Sequence, residues 1–402
     1  MTIEGRRAGP VWLAVGGLLA LAAAIGIGRF VYTPILPPMM ADLGLTKSEA
    51  GLIASANFVG YLLGAIAGSA AVPQGSERRF LLAALAISAL TTAAMAAVSS
   101  VMAMAALRFA GGLASAFVMV FASTLVLERL AAQGRANLAD VHFAGVGAGI
   151  AASAVLVAAL GAAGADWRQL WWGSGLLAAG GLAAVAALVP AAGARPATAA
   201  AGSRLSGAQR ATLARYALAY GLFGFGYVIT ATFLVAIVRG DPTMRPLEPV
   251  VWILVGVTAA PSVAIWGRIG RRIGIGLAFA IACVIEAVGI LACIWPGGPF
   301  GASVAALVLG ATLMGITALG LMGARALAPA NPRRILALMT AAFGSGQIVG
   351  PIAAGFVFDL TDSFAMPTLG AAVALLAAAA IVPREGAIST GGATVSSASP
   401  SQ

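Results

Sequence analysis

The sequence predicts an all-α membrane protein with twelve transmembrane helices. Of its 402 residues, 61% are hydrophobic and only 9% are charged, whereas a typical soluble domain carries about 25% charged residues. The apolar residues form long continuous runs, and a membrane-spanning helix needs roughly 20 such residues. A membrane β-barrel would instead alternate polar and apolar residues along each strand. Most of the chain is therefore expected in lipid, where helices satisfy their own backbone hydrogen bonds.

Twelve apolar runs are long enough to cross a membrane, and polar segments separate them. The predicted spans are 11–38, 49–72, 80–98, 101–127, 138–162, 169–189, 213–238, 249–267, 274–295, 300–324, 335–358 and 364–382. The segment 190–212 is a longer linker rich in Pro, Gly, Ser and Arg, and it divides six spans from six. The predicted domains are a six-helix bundle over 1–189, this linker, a second six-helix bundle over 213–382 and a disordered tail over 383–402.

The arginines favour one orientation in the membrane. If the N-terminus is cytoplasmic, 17 of the 23 basic residues lie in cytoplasmic segments, 4 in outer loops and 2 inside spans. Cytoplasmic loops carry an excess of Lys and Arg. We therefore expect a multi-pass protein of the bacterial inner (plasma) membrane with both termini in the cytoplasm. The same arginines account for the net charge of +10, and no aromatic-rich basic segment points to nucleic acid.

The sequence disfavours several classes of function. No phosphate-binding loop of the form GxxxxGK(S/T) occurs and the chain has one lysine, which excludes ATP hydrolysis by that route. No metal-ligand cluster and no nucleophile triad is visible, so we expect neither an enzyme nor a metal or other cofactor. Cys283 and Cys293 lie in one helical run about 15 Å apart, too far for a disulfide. The expected partners are a small molecule and membrane lipid, with the chain as a monomer.

Two arginines lie inside predicted spans. Arg29 is roughly 13 Å from the outer end of span one, and Arg108 lies at a similar depth in span four. A cation there costs a few kcal/mol or more unless it is paired or hydrated. Arg29 either binds an anionic group in a cavity or caps backbone carbonyls near Pro34. Arg108 either lines the same positive cavity or fixes helix packing through hydrogen bonds.

Span seven carries polar and aromatic residues at steps of three and four, which places them on one face of a helix. They are Tyr216, Tyr220, Phe223, Tyr227 and Thr230. Such a face either packs against a neighbouring helix or lines a cavity. Span two has a comparable face that includes Asn57 and Tyr61, and Gln347 lies in a glycine-rich stretch of span eleven. The two amides are therefore further candidates for contact with a ligand.

Glu286 is the one carboxylate near the centre of a span. It could carry a proton, or it could be a neutral acid that is hydrogen-bonded to a neighbouring helix. Asp140 and the only histidine, His142, begin span five at the predicted cytoplasmic side. That position allows either a part in coupling or simple solvation.

Several motifs resemble those of the major facilitator superfamily. In that superfamily, loops of the type G-x-x-x-D-R-x-G-R-R join helices two and three, and helices eight and nine. The run Arg268-Ile269-Gly270-Arg271-Arg272 matches the second half of this motif, with Gly267 in place of its aspartate. The equivalent first loop, over 74–79, is degenerate, and Arg108-x-x-x-Gly112 resembles the arginine motif of helix four.

Three further stretches resemble the YbfB/YjiJ-type branch of that superfamily. They are GIGRFVYTP over 26–34, SANFVGY over 55–61 and GQIVGP over 346–351. The resemblance covers all twelve spans and implies two six-helix bundles around a central cavity, lined mainly by helices one, four, seven and ten. It places Arg29, Arg108 and the Tyr220–Tyr227 face at the cavity, and it counts against Glu286 in span nine as the proton site.

We therefore predict a secondary active transporter of a small organic solute that works by alternating access, is coupled to protons and favours an organic anion. The alternatives are multidrug-type efflux of hydrophobic compounds and a non-transporting membrane sensor or scaffold, which a large appended domain would favour. The predicted substrate contacts are Arg29, Tyr32, Asn57, Arg108, Tyr220, Tyr227 and Gln347. The predicted proton-coupling residues are Arg108, Glu286 and Asp140. The predicted gating-loop residues are Arg268, Gly270, Arg271 and Arg272.

Overall fold

The computed structural model describes residues 9–68, 75–190, 206–295, 297–327 and 332–384. Within them the chain folds into helices, turns and short connections, and no strand occurs. The twelve long helices are α1 (Pro10–Leu43), α2 (Lys47–Gly68), α3 (Glu77–Ala94), α4 (Val101–Ala132), α5 (Ala139–Ala162), α6 (Trp167–Leu188), α7 (Gly207–Gly240), α8 (Glu248–Ile273), α9 (Ile275–Leu291), α10 (Gly298–Leu327), α11 (Pro332–Thr361) and α12 (Ala365–Ile381). Each corresponds to one predicted span, which confirms the predicted fold class.

Ten of these helices are long and apolar enough to cross a membrane by length and composition. The other two, α9 and α12, are apolar helices of 17 residues each. A helix of that length reaches about 25 Å, close to the thickness of the hydrocarbon core. Together the twelve helices form the two six-helix bundles of the predicted architecture.

Two predicted boundaries differ from the structure or fall outside it. The linker was expected to continue to residue 212, but α7 already begins at Gly207. The Ser206 hydroxyl accepts the Gln209 backbone N–H and the Gln209 side chain accepts the Ser206 backbone N–H, which is a capping box that starts the helix. Residues 191–205 of the linker and residues 385–402 of the tail lie outside the described residues.

Helix α1 is interrupted near its middle. A regular helix over Pro10–Leu21 passes into a π-helical turn over Ala22–Ile27, and a second regular segment begins at Tyr32. Pro34 has no backbone N–H and disfavours helical geometry in the residue before it. The Thr33 N–H accordingly donates to the carbonyl three residues back. This break leaves backbone carbonyls free for other partners.

The two bundles contact each other mainly through three pairs of helices, α1 with α7, α2 with α11, and α5 with α8, and α1 also touches α8. Small residues allow these helices to approach closely. A Cβ atom at Gly51 of α2 would lie 2.2 Å from the Pro351 carbonyl oxygen of α11. One at Gly147 of α5 would lie 2.2 Å from the Ala260 backbone nitrogen of α8. The bundle interface therefore excludes larger side chains at these points.

Hydrogen bonds between the bundles lie toward one end of the protein, which we call the Lys47 end; the arginine bias predicts it to be external. Asp359 accepts the backbone N–H groups of Lys47 and Ser48 at 3.1 and 2.9 Å. The Ser55 hydroxyl donates to the Ile348 carbonyl, and the Thr33 hydroxyl donates to the Ala231 carbonyl. In the described residues the bundles are thus joined on this side.

Candidate functional site

Arg29 lies at the break in α1 and is 6% exposed. Its guanidinium carbon is 4.5 Å from the ring centroid of Phe58 and 4.5 Å from that of Tyr61, both on α2. These rings stabilise the buried charge through cation–π contacts. Its Nε and Nη2 atoms are buried and have no hydrogen-bond partner among the described residues. Buried polar atoms are nearly always paired in native proteins, so these donors are candidates to bind a ligand.

Arg108 holds the break in α1 together. Its Nη1 donates to the Gly28 carbonyl and its Nη2 to the Arg29 carbonyl, both at 2.8 Å. Its guanidinium carbon also lies 5.0 Å from the ring centroid of Tyr32. Both terminal nitrogens are therefore already used in fixing the backbone that carries Arg29. The sequence left two roles open for Arg108, lining a cavity or fixing helix packing. These hydrogen bonds are the ones that the packing role requires.

Two other predicted contacts on this bundle tie helices together. The Asn57 Nδ2 donates to the Arg108 carbonyl at 2.8 Å, which joins α2 to α4. The Tyr32 hydroxyl donates to the Ala50 carbonyl at 2.8 Å, which joins α1 to α2. The Oδ1 atom of Asn57 is buried and has no partner among the described residues. It is therefore available to accept a hydrogen bond from a ligand.

The second bundle contributes Tyr220, Tyr227 and Gln347, which are all buried. The Gln347 Nε2 donates to the Tyr227 hydroxyl, and the Gln347 Oε1 has no partner in the described part of the chain. The Tyr220 hydroxyl donates to the Thr317 carbonyl of α10 at 3.2 Å. These side chains therefore combine one free amide oxygen with hydroxyls that are held in place.

Phe343 of α11 stacks on the aromatic face of α7. Its ring centroid is 4.7 Å from that of Tyr220, 5.6 Å from that of Phe223 and 5.6 Å from that of Tyr227. The rings of Phe343 and Tyr227 are nearly parallel, at 7°. We call these four rings the aromatic ladder. Offset stacked rings at such distances attract one another and form a stiff surface.

The two halves of the site meet between the bundles. Arg29 is close enough to interact electrostatically with Tyr61 on its own bundle and with Tyr227 on the other. Tyr61 also lies within electrostatic range of Tyr220 and Tyr227. Helices α2 and α11 meet beside these residues, because a Cβ atom at Gly344 would lie 3.3 Å from Leu62 Cβ. Arg29, Tyr220, Tyr227 and Gln347 therefore lie near the boundary between the bundles, where a bound molecule could touch both.

The three predicted proton-coupling residues do not form a cluster. Glu286 of α9 is fully buried; its Oε2 accepts the Thr312 hydroxyl of α10 at 2.9 Å, and its Oε1 has no partner among the described residues. It interacts electrostatically with Tyr227. Asp140 lies in the first turn of α5, and no ion pair in the described residues joins it, Glu286 or Arg108. Of the three, Arg108 bonds directly to the Arg29 carbonyl, whereas Glu286 lies within electrostatic range of Tyr227.

His142 packs between helices and is fully buried. Its Nε2 lies 3.3 Å from the Ser123 hydroxyl of α4. A Cβ atom at Gly17 of α1 would lie 2.2 Å from its Nδ1. These contacts place His142 at the junction of α1, α4 and α5. Of the two alternatives that the sequence left open for His142, simple solvation does not fit its full burial.

The predicted gating loop is helical, so its assignment as a loop is wrong. Helix α8 continues to Ile273, and Gly274, with φ of 91°, is the single residue between α8 and α9. Arg268, Arg271 and Arg272 are exposed on the last turns of α8, where the helix dipole favours cations. Gly270 packs on α10, since a Cβ there would lie 2.8 Å from Leu319 Cδ2. Basic residues followed by a glycine occur both in loops and at the C-terminal ends of helices. The pattern around Arg268–Arg272 therefore did not distinguish a loop from a helix end.

Sequence reasoning missed Phe58 and Phe343, and it named Tyr61 as part of a polar face of span two but not as a substrate contact. Phe58 and Tyr61 flank Arg29, and Phe343 completes the aromatic ladder. The spacing of Phe58 and Tyr61 by three residues on one helical face was the available signal. Phe343 had no comparable signal, because the stacking partner on α7 is more than 100 residues away in the chain. No group of three or more metal-ligating side chains occurs in the described ranges.

Comparisons with known proteins agree with this architecture. The family model described as "Uncharacterised MFS-type transporter YbfB" matches residues 21–383. A mutant of the nucleoside transporter NupG superposes with a TM-score of 0.71 at 16% identity, covering 92% of this chain and 98% of that one. Unmutated NupG gives 0.64 at 16% identity with the same coverage.

A bacterial homologue of the human lysosomal transporter Spinster, in an inward-facing and unoccupied conformation, gives a TM-score of 0.61 at 14% identity. It covers 93% of this chain and 94% of its own. These identities support the fold alone, and the sequence matched no curated protein. Because the family model spans most of its length, the chain belongs to the YbfB-like family of major facilitator (MFS-type) transporters.

Proposed function

We propose that this transporter moves a small organic anion across the bacterial inner membrane, with the anion bound at Arg29. The observation that carries the proposal is the pair of unpartnered donors on this buried arginine. The Nε and Nη2 hydrogens point from the same edge of a guanidinium group. A carboxylate presents two oxygens to such an edge and forms two parallel charge-assisted hydrogen bonds. The anion would compensate a charge that otherwise remains costly at this depth.

The position of the hydrogen bonds between the bundles supports alternating access as the transport mechanism. The interbundle hydrogen bonds at Asp359, Ser55 and Thr33 close the Lys47 end. In the proposed cycle the six-helix bundles, over 1–189 and 213–382, rock about the site at Arg29. These bonds would break when the Lys47 end opens. With both termini cytoplasmic, the conformation described here is closed to the outside.

We assign proton coupling to Glu286. It is buried without a cationic partner in the described residues, and a carboxyl group in that position can be neutralised by a proton. Three neighbours would sense the change in charge when Glu286 binds a proton. Thr312 donates a hydrogen bond to it, and Cys283 and Tyr227 lie within electrostatic range. Tyr227 interacts with both Glu286 and Arg29. Protonation of Glu286 would therefore change the electrostatic environment in which Arg29 binds its anion.

A binding screen on the purified full-length protein tests this proposal. The probes are the sodium salts of small aliphatic and aromatic carboxylates, the corresponding neutral amides, and hydrophobic amines. We expect carboxylates to raise the thermal unfolding temperature in detergent, and we expect this gain to be lost in Arg29→Gln but kept in the control Arg271→Gln. Stabilisation by the amines alone, or equally in Arg29→Gln, would overturn the anion site. That outcome would favour efflux of hydrophobic compounds.

A further inference from the structure

The walls of the Arg29 site contain more aromatic rings than a site for an aliphatic acid needs. Building on the proposed function, we propose that the transported anion is an aromatic monocarboxylate. Its carboxylate would bind the free edge of Arg29 and its ring would lie against Tyr61 and the aromatic ladder. The number of free charges, the nature of the walls and the free amide of Gln347 each support a part of this assignment.

The number of free donors on the two buried arginines limits the charge that a ligand can carry. Both terminal nitrogens of Arg108 are occupied by the carbonyls of Gly28 and Arg29. Arg29 alone offers two adjacent unpartnered donors within the described residues. Arg108 keeps only a single buried unpartnered donor, its Nε, so a second carboxylate on the ligand would find no second pair of adjacent free donors in the described residues. Burying an unpaired charge is strongly unfavourable, so the site fits a monoanion.

The aromatic side chains on both sides of the site favour a ligand that contains an aromatic ring. On the first bundle, Phe58 and Tyr61 already place their ring faces toward the Arg29 guanidinium. On the second bundle, the ladder presents parallel rings, of which Phe343 is the most exposed at 9%. The two walls approach each other where α2 meets α11: a Cβ atom at Gly344, next to Phe343, would lie 3.3 Å from Cβ of Leu62, next to Tyr61. A planar ring between these walls gains stacking contacts that a saturated ring lacks.

An aromatic enclosure could also suggest a cationic ligand, because ring faces attract cations. At this site the buried charge of Arg29 already lies over one face of the Phe58 ring and one face of the Tyr61 ring. A second cation next to it would be repelled in a region of low dielectric constant. The charge at the centre of the site therefore selects against a cation.

Gln347 adds a preference for a polar ring substituent. Its Nε2 is used by the Tyr227 hydroxyl, whereas its Oε1 is buried without a partner in the described part of the chain. A hydroxyl on the ligand's ring could donate to this oxygen. The preferred ligand would then be a hydroxylated aromatic monocarboxylate.

Equilibrium binding to the purified full-length protein tests the inference with five matched probes. They are benzoate, 4-hydroxybenzoate, cyclohexanecarboxylate, benzene-1,4-dicarboxylate and benzamide. We expect benzoate to bind about tenfold more tightly than cyclohexanecarboxylate. We expect 4-hydroxybenzoate to bind at least as tightly as benzoate, and the dicarboxylate and the amide to bind at least tenfold more weakly.

The variant Phe343→Leu removes one ring of the ladder. It should weaken benzoate binding about fivefold to tenfold and leave cyclohexanecarboxylate within twofold. The control Phe364→Leu removes a ring that packs instead on Phe233 and Phe358 and should leave all five affinities unchanged. If Phe343→Leu does not fold, Tyr61→Leu takes its place with the same expectation.

The outcomes separate the two proposals. If cyclohexanecarboxylate binds as tightly as benzoate and Arg29→Gln weakens both, the inference is overturned and the anion site stands. If benzamide binds as tightly as benzoate, or if no carboxylate binds at all, both proposals fall. A preference for the dicarboxylate would overturn the monoanion assignment.

Discussion

The Arg108 guanidinium donates to the backbone carbonyl of Arg29 at 2.8 Å, so one buried arginine holds the backbone that presents the other. The two arginines lie at similar depth in the sequence prediction and have different partners in the structure. Arg108 is a positioning residue for the break in α1. Arg29 lies over the rings of Phe58 and Tyr61 and keeps two free donors. This difference leads to opposite expectations for the two lysine variants.

For Arg108→Lys we expect a loss of stability. Lysine keeps the charge but has no planar fork that reaches two carbonyls at once. Losing one of the two hydrogen bonds from a charged donor costs about 1.5–3 kcal/mol, and the carbonyl left unpaired adds to this. Thermal unfolding in detergent should therefore begin at a lower temperature than in the exposed control Arg271→Lys. Equal unfolding temperatures would contradict the positioning role.

For Arg29→Lys we expect normal insertion and stability but weak binding of carboxylates. Lysine retains the positive charge and loses the edge that binds two carboxylate oxygens. The affinity should fall by about 1–3 kcal/mol, roughly fivefold to 150-fold. Binding of the best carboxylate of the screen, compared with wild type and Arg271→Lys, measures this. Unchanged affinity in a well-folded Arg29→Lys would remove Arg29 from the site.

The sequence predicted the helices well and the roles of individual polar residues less well. Each span was visible because lipid requires long uninterrupted apolar runs. The distinction between Arg29 and Arg108 depends on which backbone carbonyls the break in α1 exposes, and these arise from a π-helical turn that no simple periodicity encodes. The partnership of Phe343 with α7 depends likewise on how two distant helices pack. Depth in the membrane could be read from the chain, whereas partners could not.

Asp359 provides a third prediction, which concerns the closed Lys47 end. Its carboxylate accepts the first N–H groups of α2, where the helix dipole favours a negative charge. In Asp359→Asn this charge is removed, so opening of the Lys47 end should become more frequent. A single cysteine at position 55 (Ser55→Cys), in a chain with Cys283 and Cys293 replaced by Ala, reports access to a membrane-impermeant maleimide.

We expect Asp359→Asn to increase the rate of this labelling several-fold over the same cysteine reporter with Asp359 intact. The matched control is Asp362→Asn, which removes a neighbouring carboxylate that also attracts Lys47 but, within the described residues, accepts no backbone N–H of α2. It should change the rate little. A labelling rate that Asp359→Asn leaves unchanged would show that the contact does not hold the Lys47 end closed.

Glu286 gives the last prediction, which separates coupling from transport. Glutamine at this position is close in shape and its oxygen can still accept the Thr312 hydroxyl. Unlike a carboxylate, it cannot gain and lose a proton near neutral pH. In vesicles, Glu286→Gln should abolish accumulation of the carboxylate driven by a pH gradient and preserve counterflow exchange, which needs only binding and alternating access. Thr312→Val is the control for packing, since it removes the same hydrogen bond while the carboxyl group stays. It should retain gradient-driven uptake with altered pH dependence. If Glu286→Gln still accumulates substrate against its gradient, the coupling proton binds elsewhere; if it loses exchange as well, Glu286 is required for the fold or the transport cycle rather than for coupling.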